Sequence, residues 1–192
     1  MNKIKIYKIK KKDILFNILI ESKNFYGGNK EKIKKDLLSF IYGIRIKYSI
    51  INLNKTSIYL KYTFSYLKYL LKKKKIILII GNTFDIKFFI NSKFTKKNKN
   101  IIFFNEKWIN GLITNNKKWL FDKKKICLII IFRSSLNEIF FKKELEILKV
   151  PIISIINTEQ KINNINYPII GNLTNNKSIY TLMYLIRKKI IK

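Results

Sequence analysis

The feature that most restricts how this chain can fold is a set of short isoleucine-rich runs separated by stretches of helical periodicity. Pro151 opens the run Ile152-Ile153-Ser154-Ile155-Ile156, and Asn157-Thr158 closes it with polar turn residues. A run too short for a helix, β-branched, and bounded by turn chemistry suits a strand buried on both faces. Residues 76–80, 101–104 and 126–132 have the same character, and residues 48–53 read as the first strand of the main sheet. Tyr167-Pro168-Ile169-Ile170 reads as a shorter edge strand, since proline is tolerated at a strand start. Between the runs, apolar residues fall at helical spacing. Asn54 is placed to cap a helix carrying Leu60, Phe64, Leu67 and Leu71. Another helix is predicted over residues 84–94. A third starts at Ser134-Ser135, where Ser135 and Glu138 have capping-box spacing and Leu136, Ile139, Phe140 and Ile147 face the core. Asn175 or Asn176 caps a last helix with Ile179, Leu182, Met183, Ile186 and Ile190 on one face. Strands alternating with amphipathic helices predict a right-handed parallel α/β sheet.

The first quarter of the chain reads differently. Residues 1–12 alternate lysine with apolar residues, a pattern expected of a basic arm or a transit peptide. The absence of arginine and serine there favours the arm, which runs straight into a helix over residues 13–22. Phe25-Tyr26-Gly27-Gly28 reads as a turn and residues 30–38 as a short charged helix. The expected organisation is therefore a basic arm with helices over 1–47 and a single parallel α/β domain over 48–192. A length of 192 residues suits one sizeable core.

Charge bears on partners more than on fold. With 41 basic and 11 acidic residues the net charge is +30, and the lysines are spread along the whole chain. Polyphosphate is the natural counter-surface, so nucleic acid is favoured over a membrane. No apolar stretch approaches the roughly 18 residues that a membrane span needs. The composition also carries a mutational signature. Isoleucine, lysine and asparagine dominate, alanine and histidine are absent, and Arg45, Arg133 and Arg187 are the only arginines. AT-rich codons have displaced GC-rich ones, as in reduced organellar genomes. That bias, with no convincing transit peptide, predicts synthesis inside an organelle, a plastid or relict plastid (apicoplast) rather than a mitochondrion.

The inventory for catalysis is thin. Cys127 is the single cysteine, so no internal disulfide and no Cys/His metal cluster can form. Histidine-dependent triads are excluded. Gly81 follows a buried strand, but Gly81-Asn82-Thr83-Phe84 contains neither G-x-G-x-x-G nor a Walker loop. Asp85, Glu106, Glu138 and Glu159 show no spacing that calls for acid/base work. No cofactor and no small-molecule substrate is expected. The alternative is a stand-alone flavodoxin-like domain holding a small phosphorylated ligand at Gly81 or near Thr158, at the carboxyl ends of strands. The inventory for binding is fuller. Lys96, Lys97 and Lys99, then Lys117 and Lys118, then Lys123, Lys124 and Lys125 cluster in predicted loops. Phe25, Tyr26, Trp108 and Trp119 lie in predicted turns, where rings either stack on bases or plug the core.

Several segments carry a resemblance. Residues 150–172, with N-T after the buried strand and N-Y-P-I-I-G-N at the end, resemble the second protein of the bacterial-type small ribosomal subunit. Residues 105–115, N-E-K-W-I-N-G-L-I-T-N, are similar to that family's tryptophan motif, N-x-R-W-x-G-G-x-L-T-N. F-I-Y-G-I-R, ending at Arg45, and I-I-N-L-N-K-T, ending at Thr56, resemble Y-I-x-G-x-R and I-I-D-L-x-K-T. L-I-E with F-Y-G resembles L-L-E…H-F-G. The segments keep family order from about residue 19 to 187.

The resemblance implies a Rossmann- or flavodoxin-like parallel sheet with helices on both faces. It also implies a structural, non-catalytic role binding small-subunit rRNA where head and body meet, joining late in assembly beside other ribosomal proteins, including a large mRNA-binding one. The matching segments add Arg45, Lys47, Lys55, Lys107 and Asn115 to the candidate RNA-binding residues. Arg45 is singled out because guanidinium makes bidentate phosphate contacts that lysine cannot. The departures are specific. Only N-K-K-W-L-F-D-K-K-K separates Asn115 from Ile126, so the family's long helical hairpin reads as deleted. Phe25 stands for the family histidine, Asn52 for the aspartate and Asn110 for the first glycine of G-G. Asn82-Thr83-Phe84-Asp85 replaces a basic segment.

Overall fold

A computed structural model describes residues 13–81, 87, 100–104, 126–132, 146–147, 149–162 and 164–191. Five of the apolar runs form one parallel sheet: β4 (Ile76–Ile80), β5 (Ile101–Phe104), β6 (Ile126–Ile131), β7 (Ile152–Ile156) and β8 (Tyr167–Ile170). Their order is β5-β4-β6-β7-β8, every pair parallel. Counted along the chain this is 2-1-3-4-5, the flavodoxin-like arrangement. All five residues of β7 are buried, Ser154 among four isoleucines. Pro168 sits in β8, an edge strand, where a missing backbone donor costs least.

Alternation along the strands divides the isoleucines between two cores. Ile77, Ile79, Leu128, Ile130, Ile153, Ile155 and Ile169 face one; Leu78, Ile80, Ile129, Ile131, Ile152, Ile156 and Ile170 face the other. The first core is covered by α1 (Asp13–Glu21), α2 (Leu53–Lys72) and α3 (Asn176–Ile191). Leu60 and Leu67 of α2 are fully buried, Phe64 and Leu71 pack at the margin, and all five predicted core residues of α3 are buried. Thr56 Oγ1 donates to the Ile170 carbonyl at 3.0 Å, tying α2 to the edge strand. Asn52, not Asn54, caps α2. Its side chain accepts from the amides of Asn54 (3.1 Å) and Lys55 (3.4 Å), because helical geometry has already begun at Leu53. An asparagine in place of the family aspartate thus keeps the cap. Asn175 caps α3, accepting from Lys177 N at 3.0 Å.

The region before residue 52 departs from expectation. Residues 48–51 do not join the parallel sheet. They form β3 (Tyr48–Ile51) of a separate antiparallel sheet with β1 (Tyr26–Asn29) and β2 (Ile41–Arg45), in the order β1-β3-β2. Their alternation of exposed and buried side chains is that of a half-buried antiparallel strand. The predicted turn at Phe25-Tyr26-Gly27-Gly28 is largely strand, because Ile51 N donates to Phe25 O (2.7 Å) and Tyr26 pairs with Ile50. The predicted helix over 30–38 is two 3₁₀ turns, Lys30–Lys32 and Lys35–Phe40, the first capped by the Asn29 side chain. Leu37, Phe40 and Ile51 reach from this small unit into the second core.

The three longer described helices all lie on the first core. Of the helices expected elsewhere, only residues 87 and 146–147 are described, and they are helical. Ile147, expected in the core, is 62% exposed. It lies two residues before Lys149, which has left the helix and takes left-handed backbone (φ 50). The expected basic arm over 1–12, the Ser135–Glu138 cap, the core positions Leu136, Ile139 and Phe140, the connection over 105–122 and the stretch where the family's hairpin is expected to be missing lie outside the described residues.

Leu67, wholly buried between α2 and the sheet, offers a direct measure of the first core. Leu67→Ala is expected to lower unfolding free energy by about 2–5 kcal/mol, read from the midpoint of a urea transition.

Candidate functional site

In a parallel sheet of this order, ligands meet the loops at the carboxyl ends of the strands. At β7 that position is filled by the chain itself. Gly28 N donates to Thr158 Oγ1 at 2.7 Å, and Asn29 N donates to Glu159 Oε1 at 3.0 Å. Ser49 Oγ lies 3.1 Å from the Gly28 carbonyl and 3.3 Å from Thr158 Oγ1, while Lys34 N donates to Thr158 O at 3.2 Å. Asn157 and Gln160 complete the turn, with Thr158 N on Asn157 Oδ1 (2.7 Å) and Asn157 N on Gln160 Oε1 (3.0 Å). Strand β1 therefore docks where a phosphate would sit, and Thr158 is fully buried beneath it. The two glycines make the approach possible. A Cβ on Gly27 would strike Ser49 Oγ and come within 2.9 Å of Thr158 Cγ2, and one on Gly28 would strike the Glu159 carboxylate. At the end of β4, Gly81 N is held by Phe104 O at 3.3 Å, and residues 82–86 lie outside the described residues.

The rest of the N-Y-P-I-I-G-N stretch is framework too. Gly171 sits where a Cβ would be 2.6 Å from Leu182 Cδ1 and 2.9 Å from Asn24 Oδ1. Asn172 accepts from Thr174 N (2.9 Å) and Thr174 Oγ1 (2.6 Å) and donates to Lys23 O (3.2 Å). Asn24 and Ser178 continue this buried polar joint between the end of α1 and the start of α3: Asn24 Nδ2 donates to Ser178 O (3.2 Å), and Ser178 Oγ to Ser22 O (2.5 Å).

The outward side of the small sheet has a different character. Its β2–β3 hairpin turns at Ile46-Lys47 and exposes Arg45, Ile46 and Lys47, with Tyr42 (80% exposed) and Tyr48 (60%) nearby. Arg45 and Tyr48 are register partners, so their side chains project from the same face. Ile46 is 85% exposed and takes φ 58, a conformation that β-branched residues strongly disfavour. Tyr26 is exposed on β1, its ring 4.4 Å from that of Phe25, which is half-buried against the first core. The ring standing for the family histidine thus anchors Tyr26. Basic side chains interleaved with exposed tyrosines can neutralise phosphate and stack on bases or riboses.

Of the sixteen candidate RNA-binding residues, the structure brings Tyr26, Arg45 and Lys47 onto this sheet. Lys55 lies at the start of α2, where Nζ donates to Ser39 O (2.6 Å) and stands 5.7 Å from the Phe40 ring. It fastens the 3₁₀ turn to α2. Lys96, Lys97, Lys99, Lys107, Trp108, Asn115, Lys117, Lys118, Lys123, Lys124 and Lys125 lie outside the described residues, as does Trp119. Tyr42 and Tyr48 were missed as surface candidates. Residues 48–53 read as the first strand of the main sheet, and the F-I-Y-G-I-R…K-Y spacing exposes both tyrosines only when read as a hairpin. Among the described residues no group of three or more His, Cys, Asp or Glu could hold a metal, and no helix is long and apolar enough to cross a membrane.

Residues 19–127 match the family model for ribosomal protein S2. The chain belongs to the ribosomal protein S2 family. It is also similar to the small ribosomal subunit protein uS2c of Galdieria sulphuraria, 29% identical over 108 residues, which is 56% of this chain and 44% of that protein. The chain thus aligns with less than half the length of that relative. The S2 match takes in the small sheet, α2, β4 and β5, and all sixteen candidate RNA-binding residues. It ends at Cys127, before β7.

Two substitutions separate the plug from the surface. Thr158→Val keeps shape but leaves Gly28 N without its buried acceptor, and should cost about 1–3 kcal/mol in a denaturant titration. Ile46→Asn, which suits a positive φ and removes no buried contact, should raise stability by about 1 kcal/mol in the same assay.

Proposed function

We propose that this S2 family member is a structural constituent of an organellar small ribosomal subunit, binding small-subunit rRNA and supporting subunit assembly and translation without catalysis. The observation that carries the reading is the family match over a small sheet whose exposed face holds Arg45 and Lys47 among tyrosines. The uS2c relative bears its small-subunit role in its name, and the +30 charge requires a polyanionic surrounding. The site on the subunit is the junction of head and body, next to other ribosomal proteins. The AT-driven composition favours a plastid over a mitochondrion. The lysine-rich segments 95–100 and 115–125 add phosphate contacts to those of the hairpin. Phosphate contacts of this kind fix orientation, and the rigid sheet behind them fixes the relative placement of the RNA segments they hold. The docking of β1 on Thr158 speaks against a phosphorylated small ligand at that strand end.

The test is occupancy in purified subunits. Wild-type chain should co-sediment with small subunits from the plastid fraction and remain bound in moderate salt. Arg45→Ala should lower occupancy about tenfold, in keeping with loss of a charge-assisted contact, and Arg45→Lys should restore it only in part. Release of the wild-type chain as a free monomer sinks the ribosomal reading, and unchanged occupancy of Arg45→Ala removes the hairpin from it.

A further inference from the structure

The outer surface of the helical layer carries a feature that the small sheet does not explain. Neither α2 nor α3 contains a single carboxylate. On α2, Lys61, Lys68 and Lys72 are exposed at i, i+7 and i+11 and share one face. Tyr62 (61% exposed) and Tyr69 (51%) form a neighbouring stripe, one residue further round the helix. Lys73 Nζ lies 4.6 Å from the Tyr69 ring. On α3, Lys188 lies over the half-exposed ring of Tyr184 (5.9 Å), and Lys189 reaches across to the Phe64 ring of α2 at 5.3 Å. The two helices therefore present one continuous basic and aromatic surface.

Ordinary structural roles cover only part of it. Lysines in the last turn of α2 and α3 complement the helix dipole, which accounts for Lys72, Lys188 and Lys189 but not for Lys61 and Lys68 in mid-helix. The apolar face of α2 is already buried through Leu60, Leu67 and Leu70, so no greasy stripe remains to enter a bilayer. Lys61 to Lys72 spans about 16 Å of helix, long enough to follow several successive phosphates of one strand. The tyrosines beside the lysine stripe supply flat faces for riboses or bases.

We propose that the α2–α3 surface is a second RNA-binding face, seating the phosphate backbone of an rRNA segment distinct from the one at the β2–β3 hairpin. The inference rests on the ribosomal reading above and extends it. The helices cover the first core, whereas the small sheet inserts Leu37, Phe40 and Ile51 into the second, on the opposite side of β4–β8. A chain gripped on both faces bridges two RNA segments, and its sheet becomes the spacer between them.

The experiment uses the purified full chain and a transcript of the cognate small-subunit rRNA, with affinity measured across a salt series. Three variants are compared with wild type: Lys61→Gln/Lys68→Gln/Lys72→Gln, Arg45→Ala, and the two combined. Circular dichroism confirms the fold of each, and all four positions are exposed. Because each neutralised phosphate contributes about 0.7–0.9 to the slope of log affinity against log salt, the triple variant should flatten that slope by about two to three. Arg45→Ala should flatten it by about one, and the effects should add. A triple variant that keeps the wild-type slope while Arg45→Ala lowers it overturns the second face and leaves the ribosomal reading intact. A wild-type chain that binds this transcript no better than an unrelated RNA of equal length defeats both. Loss of binding to phosphatidylserine vesicles with rRNA affinity unchanged in the triple variant also overturns the proposal, in favour of a lipid surface.

Discussion

A parallel sheet built from isoleucine must be covered on both faces, and the rest of this structure follows from that requirement. β4, β6 and β7 bury side chains in both directions, so the chain has to supply two apolar layers. Three helices form the first layer. Part of the second comes from an unusual source, a small antiparallel unit that inserts Leu37, Phe40 and Ile51. Docking that unit also resolves the polar groups left at the carboxyl end of β7. Thr158 and Glu159 accept hydrogen bonds from β1 at the place where sheets of this order meet a ligand. One docking event thus completes a core and closes a site. It also leaves the other side of the small sheet facing outward, with its arginine, lysine and tyrosines.

What was legible in the sequence divides along the same line. The five parallel strands were readable because each is a short run that is apolar apart from Ser154, and that signal needs no knowledge of neighbours. The buried faces of α2 and α3 were readable from helical spacing alone. The small sheet was not. Its strands are four or five residues long, two of them contain glycine, and their pairing depends on contacts that no local pattern records. Tyr48-Ser49-Ile50-Ile51 looked like the runs that follow it, and only the exposure of Tyr48 and the hairpin with residues 41–45 show that it is half-buried. Ile147 failed for a related reason, since helical spacing does not mark where the helix stops.

The candidate site was legible in part. Arg45 and Lys47 were marked by charge and by a family-like segment, and the hairpin does present them. Lys55 belonged to the same kind of segment, yet its ammonium is engaged by the Ser39 carbonyl, a contact set by how the 3₁₀ turn packs on α2. The acid-free surface of α2 and α3 escaped notice because lysine is everywhere in this chain. Only the folded arrangement separates lysines that align on one face from those scattered by mutational bias. Asn52 shows that a departure from the family pattern need not disturb structure, since asparagine caps the helix where aspartate is expected.

The joint between the two ends of the chain has a consequence for how such a protein is made. Gly28 bonds to a side chain 130 residues further on, and Asn24 and Ser22 bond to Ser178, more than 150 residues away. Contacts this distant in sequence cannot form until the later partner has left the ribosome that is synthesising it. The hairpin that carries Arg45 emerges early and can meet α2 and β4, but its dock is incomplete until β7 and its turn have followed. Translation order therefore imposes a delay. The protein acquires a correctly oriented RNA-facing hairpin only after residue 159 has emerged, so a chain stalled or truncated before that point would present its lysines without the geometry that makes them specific.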